Sequence, residues 1–350
     1  MPAHSTSASI LFSASEDYLG AAIFELREVF PQASIAQVGP DLGSISESGL
    51  SIADVAEAAQ TTPLVFVRHL MRQVGFIPDA QAGEIGTIIE AAWAIWSDLP
   101  LQSAVSLQVW SSGDPNRVRP DELRRALQAF LIEQGLDVAR SGREQVVSLV
   151  LTAKGVAVGF NARSSALSDW PGGSVRLARP KEQISRSEFK LEELFREYPV
   201  RLPEQGRALD LGASPGGWTR ILRQHGLEVW AVDPADMDRS LMSDPKVHHV
   251  RSTAGPFLAT GELEFDVVVN DMRMDPDLSS QLMLDAARTL RVGGLIILTL
   301  KLTPNHPTEA VARALNSLNR WYDIELVRQL HHNRHEVTVV GRRRAEHQRS

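Results

Sequence analysis

The sequence predicts two parts: an α+β region over residues 1–160, then an α/β domain over 185–345 whose doubly wound, mostly parallel sheet ends in an antiparallel hairpin. Three observations carry this. From Ser185 onward, apolar runs of strand length alternate with amphipathic runs of helix length, as βαβ units require. Before residue 161, strand-like and helix-like runs come in mixed order, an α+β pattern. Between them, residues 161–184 are rich in Ser, Gly, Pro and Arg, a composition of turns and connections, so a linker is expected there.

The elements follow in order. Residues 64–74 form the most apolar run of the first hundred. Residues 104–110 alternate apolar and polar side chains, as a half-buried strand does. Residues 120–133 have helical periodicity, with Leu123, Leu127, Phe130 and Leu131 on one side. Residues 145–160 predict two strands around a turn at Lys154-Gly155. In the second part, helices are predicted over 187–195, 217–225, 278–290 and 308–321. Strands are predicted over 208–211, 228–233, 265–271 and 295–301, and near 324–330 and 336–341. The short polar stretch 331–334 makes the last two a hairpin.

Composition narrows the classes. A chain of 350 residues with 43% hydrophobic side chains can build two or three cored domains. No stretch approaches the ~18 apolar residues of a membrane span. The opening Met1–Phe12 lacks the basic and long apolar parts of a signal peptide. Without cysteine, disulfides, thiolate metal sites and a cysteine nucleophile are excluded. Together these features point to a cytoplasmic protein. The net charge of −7 argues against a generic polyanion binder, but residues 1–100 hold 12 acidic and 3 basic side chains. The remainder is slightly basic, so a local basic groove is compatible with the total.

A glycine-rich loop lies between a predicted strand and a predicted helix: Asp210-Leu211-Gly212-Ala213-Ser214-Pro215-Gly216-Gly217, followed by Trp218. Glycines let a backbone approach a ligand, and a helix start offers unpaired N–H groups. The spacing is not Gly-x-Gly-x-x-Gly, and a carboxylate before the first glycine would repel a pyrophosphate. It would balance the positively charged end of S-adenosylmethionine. Asp233, at the end of the next strand, is placed to accept hydrogen bonds from a ribose diol. The candidate cofactor-binding residues are therefore Asp210, Gly212, Ser214, Pro215, Gly216, Gly217, Trp218 and Asp233, with Asp271. A side chain at Gly212 is expected to occupy the ligand's path.

Four charged residues complete the pattern: Lys190, Asp271, Lys301 and Glu336. They lie in Ser185-Arg186-Ser187-Glu188-Phe189-Lys190-Leu191, in Asn270-Asp271-Met272, at Leu300-Lys301, and in His335-Glu336-Val337-Thr338. These motifs, with the loop from Asp210 to Trp218, resemble the FtsJ-like (RrmJ-type) family of ribose 2′-O-methyltransferases. The resemblance is specific over 185–343. Ser185-Arg186-Ser187, Trp218-Thr219 and Arg328-Gln329-Leu330 are further similar to the RlmM-type branch. That branch modifies a cytidine of large-subunit ribosomal RNA and carries an N-terminal THUMP-containing region, which would fall at about 60–160. The resemblance implies a Rossmann-like domain, S-adenosylmethionine as cofactor, ribosomal RNA as substrate and a Lys-Asp-Lys-Glu catalytic tetrad. Methyl transfer from a sulfonium is an in-line displacement that also needs the hydroxyl proton removed. Lys301 is the candidate base, Lys190 would raise the local positive potential, and Asp271 and Glu336 would orient both ammonium groups. A lysine base needs a lowered pKa.

Candidate RNA contacts are Trp170, Arg176, Arg179, Lys181 and Arg186. Arg342-Arg343-Arg344 reads as a phosphate contact or a solvated tail. Trp218 also suits packing of its helix against the sheet. His331, His332, His335 and the pair His248-His249 suit polar turns better than a metal site, and no metal is expected. Two other functions remain open on the residues: a nicotinamide-dependent oxidoreductase, which Asp233 allows, and an RNA-binding protein that retains the fold without catalysis.

Overall fold

A computed structural model of the chain describes residues 9–46, 49–113 and 118–345. The first eight residues of the Met1–Phe12 opening lie outside them. The chain divides into two compact units, Met1–Val175 and Arg176–Ser350.

The first unit is one eight-stranded sheet with helices: β1 (Ile10–Ser13), α1 (Leu19–Val29), β2 (Ser34–Gln37), β3 (Leu42–Ser46), α2 (Ile52–Thr61), β4 (His69–Pro78), α3 (Ile85–Trp96), β5 (Ala104–Ser111), α4 (Pro120–Glu133), β6 (Asp137–Ala139), β7 (Gln145–Thr152) and β8 (Gly155–Ala162). The sheet order is β2-β3-β1-β4-β8-β7-β5-β6. β4 joins its two halves, pairing with β1 through His69–Arg72 and with β8 through Gln73–Pro78. The stripe Leu123, Leu127, Leu131 is buried against Val105, Leu107, Leu149 and Val158, while Phe130 is partly buried at its margin.

One expectation changes here, and the most apolar run of the first hundred residues proves to be divided. Leu64 to Val67 are buried, but β4 starts only at His69. The Glu25 carboxylate accepts from Val65 N and Phe66 N at 3.1 and 3.0 Å, taking amides that a strand ladder would use. The first half of the stretch expected as linker is packed into this unit. Leu70 N donates to Ala166 O, Ser13 Oγ donates to Gly172 O, and Trp110 lies against Gly172.

The second unit contains α5 (Glu188–Glu197), β9 (Arg207–Leu211), α6 (Gly217–Gln224), β10 (Glu228–Val232), α7 (Arg239–Met242), β11 (Val247–Val250), α8 (Ala254–Thr260), β12 (Phe265–Asn270), α9 (Pro276–Ala286), β13 (Leu290–Lys301), α10 (Pro307–Leu318), β14 (Tyr322–Arg328) and β15 (Glu336–Arg343). The sheet order is β11-β10-β9-β12-β13-β15-β14, and β15 alone runs against the others. This is the doubly wound sheet with its terminal antiparallel hairpin. The chain steps outward from β9 to β11 and returns to β12 on the other side. That reversal opens a crevice at the carboxyl ends of β9 and β12, where such sheets bind ligands.

The predicted helix over 278–290 ends earlier, at Ala286. Leu290 continues the apolar periodicity but is buried in β13 opposite Phe265, and residues 291–294 bulge out before Leu295 pairs near Val267. β11 was not predicted, because His248 and His249 break its apolar pattern. Both pair within the sheet region, His248 Nε2 with Glu228 Oε1 at 2.7 Å and His249 Nε2 with Asp233 O at 3.0 Å.

Candidate active site

Four elements of the second unit bring the tetrad to one sheet edge. Lys190 is in the first turn of α5, Asp271 follows β12, Lys301 ends β13, and Glu336 starts β15 directly opposite Lys301. Because β15 is reversed, its first residue lies at the edge where the parallel strands end. Each ammonium touches both carboxylates. Lys190 Nζ is 2.8 Å from Asp271 Oδ1 and 2.5 Å from Glu336 Oε2. Lys301 Nζ is 2.7 Å from Asp271 Oδ1 and 3.0 Å from Glu336 Oε1. The four side chains are 11–18% exposed, dry enough for these charges to act strongly on one another yet open on one side.

A fifth residue joins them. Thr299 Oγ1 lies 2.6 Å from Asp271 Oδ1 and 2.8 Å from Lys301 Nζ. Sequence reading missed it, although the signal was there: residues two apart on a strand share a face, so Thr299 had to accompany Lys301.

Burial pulls the Lys190 ammonium toward neutrality, but Asp271 and Glu336 together outweigh it and hold its pKa above the ordinary lysine value. Burial likewise pushes Asp271 up, and Lys190 with Lys301 outweigh it to hold the acid below the usual carboxylate range. Lys190 therefore stays charged, in keeping with its expected part as a source of positive potential.

The loop after β9 borders the same edge. Asp210 is buried, accepts from Thr219 Oγ1 at 2.6 Å, and is pushed up to about 7 by burial, reinforced by Asp271 and Asp233. A buried acid with acidic neighbours is short of positive charge, and S-adenosylmethionine carries both an ammonium and a sulfonium. Asp233 holds the loop from the next strand end, accepting from Ser214 N at 3.1 Å and Ala235 N at 2.8 Å. Gly216, with φ 115°, precedes the first turn of α6, whose N–H groups point out of the helix start. Ser214 Oγ is bonded to Asp236 O at 2.8 Å, and Pro215 O accepts from Asp238 N at 2.8 Å.

Three loop residues have packing roles, and for Trp218 this is one of the two readings its position suggested. Trp218 is buried in the core, with Nε1 donating to Ser187 O at 2.9 Å, so it packs α6 against the sheet and offers no face to a ligand. A Cβ on Gly217 would strike Ser185, so this glycine lets the Ser185–Ser187 segment sit against α6. Gly212, with φ 74°, has Met272 where its Cβ would be. A side chain there would hit the loop after β12 before it reached any ligand. Glu188, also missed, is fully buried and ties these parts together: it accepts from Ile184 N and Ser185 N and pairs with Arg220 at 2.6 Å.

The residues expected at RNA divide between the units. Trp170 is half-buried in the first. Arg176, Arg179, Lys181 and Arg186 are exposed in the second. Arg342 and Arg344 form no loose tail; they meet Glu325 at 2.9 Å and Asp323 at 2.5 Å. His332 Nδ1 is 2.7 Å from the buried Glu193 carboxylate, which also accepts from the His331 and His332 amides. Among the described residues no group of three or more His, Asp or Glu is placed to hold a metal ion, and no helix is long and apolar enough to cross a membrane.

The profile of the FtsJ-like methyltransferase family matches residues 183–317. A ribosomal RNA large subunit methyltransferase M from Halorhodospira halophila is 37% identical over 186 residues, 51% of this chain and 53% of that protein. The protein of that name from Pseudomonas putida is 30% identical over 302 residues, 80% of each chain. The one from a Marinomonas species is 29% identical over 330 residues, 87% of this chain and 89% of that protein. The structure of TrmN from Thermus thermophilus superposes with a TM-score of 0.40 at 16% identity, across 96% of this chain and 99% of that one. The chain belongs to the ribosomal RNA large subunit methyltransferase M family, carries an FtsJ-like domain, and is an S-adenosylmethionine-dependent methyltransferase.

Proposed function

We propose that the protein methylates a ribose 2′-hydroxyl of large-subunit ribosomal RNA, at a cytidine, in the cytoplasm. The interleaved tetrad beside an acid-lined crevice is the observation that carries this reading. When bound, S-adenosylmethionine supplies an electrophilic methyl group. Asp210 and Asp233 would hold its cationic and diol ends, with the N–H groups at the start of α6 beside them. Lys301 would accept the 2′-hydroxyl proton, leaving the oxygen free to act as the nucleophile. Lys190, kept charged by Asp271 and Glu336, adds positive potential beside Lys301. Asp271 and Glu336 fix both ammonium groups, and Thr299 limits the directions open to Lys301. The three carboxylates around the crevice disfavour a pyrophosphate, which is why a nicotinamide cofactor is not the reading preferred.

Mapping of ribose methylation tests this directly. A strain lacking the protein should lose one 2′-O-methylcytidine from large-subunit ribosomal RNA, and the intact chain should restore it. An unchanged methylation map would overturn the substrate. In calorimetry, tighter binding of NAD than of S-adenosylmethionine or S-adenosylhomocysteine would overturn the cofactor.

A further inference from the structure

Beside the tetrad, the second unit has a cavity of about 380 Å³, within the roughly 300–1,000 Å³ usual for small-ligand sites. It is lined by Arg179, Gln183, Arg186, Phe189, His332 and Arg334, among others. None of the four tetrad residues lines it, yet it is built from the same segments: Phe189 precedes Lys190, and Arg334 lies two residues before Glu336. Its chemistry has three parts. The Phe189 and His332 rings lie 5.0 Å apart at 33°, forming an aromatic wall that Glu193 steadies through His332. The exposed guanidinium groups of Arg179, Arg186 and Arg334 meet no carboxylate among the described residues. The Gln183 side chain has both its amide nitrogen and its amide oxygen shielded from water with no hydrogen-bond partner. Leaving two such atoms without partners is costly, and a ligand with a donor and an acceptor side by side would satisfy both.

We infer that this cavity holds one unstacked nucleotide of the RNA adjacent to the one that is methylated, with its base on the Phe189–His332 wall and its edge read by the Gln183 amide. A primary amide offers a donor and an acceptor side by side, the complement of a base edge. The unpaired arginines take the flanking phosphates. Because the tetrad lies outside the cavity, the occupant is a neighbour of the reacting ribose, and the cavity sets the sequence context of methylation. This rests on the RNA substrate proposed above.

The test uses the full-length protein and a short RNA around the mapped cytidine, prepared with each of the four bases at every flanking position. The parent should prefer one base at one position, and 2-aminopurine placed there should lose fluorescence on binding. Gln183→Leu should lower kcat/KM for the preferred RNA roughly tenfold and level the four bases. Phe189→Leu should abolish the fluorescence loss, since stacking on the ring causes it. S-adenosylmethionine affinity should stay within about twofold of the parent in both, which also shows that they fold. Arg334→Gln, an exposed change, should reduce the salt dependence of RNA binding by close to one counterion. A parent that methylates the RNA without any flanking preference, or variants that keep the parent's preference and salt dependence, would overturn the cavity's role alone. A parent that neither binds nor methylates the RNA would overturn the substrate reading and this one together.

Discussion

The two units each lay helices on a sheet, but they differ in strand direction, and only one gathers charged side chains at an edge. From β2 to β7 every neighbouring pair in the first unit is antiparallel, so strand starts and strand ends alternate along both edges. One of its titratable side chains is instead drawn inward. His69 is buried against Ser168 O, and burial lowers its pKa to about 4. In the second unit, six of seven strands end at the same edge, and the reversed β15 begins there. Asp210, Asp233, Asp271, Lys301 and Glu336 reach that edge because strand direction puts them there. A parallel sheet thus converts scattered sequence positions into one site, while mostly antiparallel pairing distributes strand ends over both edges.

The sharpest way to break this contrast is at Lys301. Lys301→Ala should lower single-turnover methyl transfer by on the order of 10³-fold, the span of general base catalysis, and leave S-adenosylmethionine affinity nearly intact. Near-parental rates would make Lys301 a surface lysine and leave the sheet edge without a base.

Next in size is the separation of the units. A fragment beginning at Arg176 contains every element of the second sheet. It should fold and bind S-adenosylmethionine like the full chain, but methylate RNA with kcat/KM down by about a hundredfold, because a linked binding element no longer raises the local RNA concentration. Equal activity of fragment and full chain would remove any RNA-positioning role from residues 1–175.

A smaller effect is expected from pH. Asp210 is pushed up from 3.8 to about 7, so the folded protein keeps a proton that the unfolded chain has lost between those values. Its stabilising effect is full below pH 4 and disappears as pH rises through 7, so the ligand-free protein should lose stability over that window. Cofactor binding runs the other way. A cationic ligand needs the ionised acid, so affinity should rise with pH by up to about tenfold per unit below 7 and level off above it. Asp210→Asn should flatten both profiles. Calorimetry and thermal melts between pH 5 and 8 would decide, and an unaltered profile in the variant would show that another group titrates.

The mildest change is Thr299→Val, which keeps shape and removes two hydrogen bonds. A loss of about one hydrogen bond's net worth should reduce kcat roughly fivefold with cofactor affinity unchanged. No change in kcat would mean that Asp271 and Glu336 fix Lys301 without help.

The charged and glycine-rich motifs, the strand–helix alternation after Ser185 and the final hairpin were all readable along the chain, because period-2 and helical patterns are local and the motifs are contiguous. Even Thr299 followed from strand period once Lys301 was placed. Other features depended on register between distant segments. Asp271 is shared by Lys190, 81 residues away, and by Lys301, 30 residues away, and with Glu336 it keeps Lys190 charged. Trp218 and Gly217 looked like parts of a ligand loop; the approach of Ser185–Ser187 made one a core side chain and the other a clearance. The helix predicted to Leu290 stopped early because an apolar residue at helical spacing satisfies a strand equally well, and pairing with Phe265 decided between them. Sequence by itself determined which side chains were available and which way each element faced. Only the tertiary structure decided their partners, because hydrogen bonds and ion pairs act over about 3 Å and that distance is set by how strands from remote parts of the chain align.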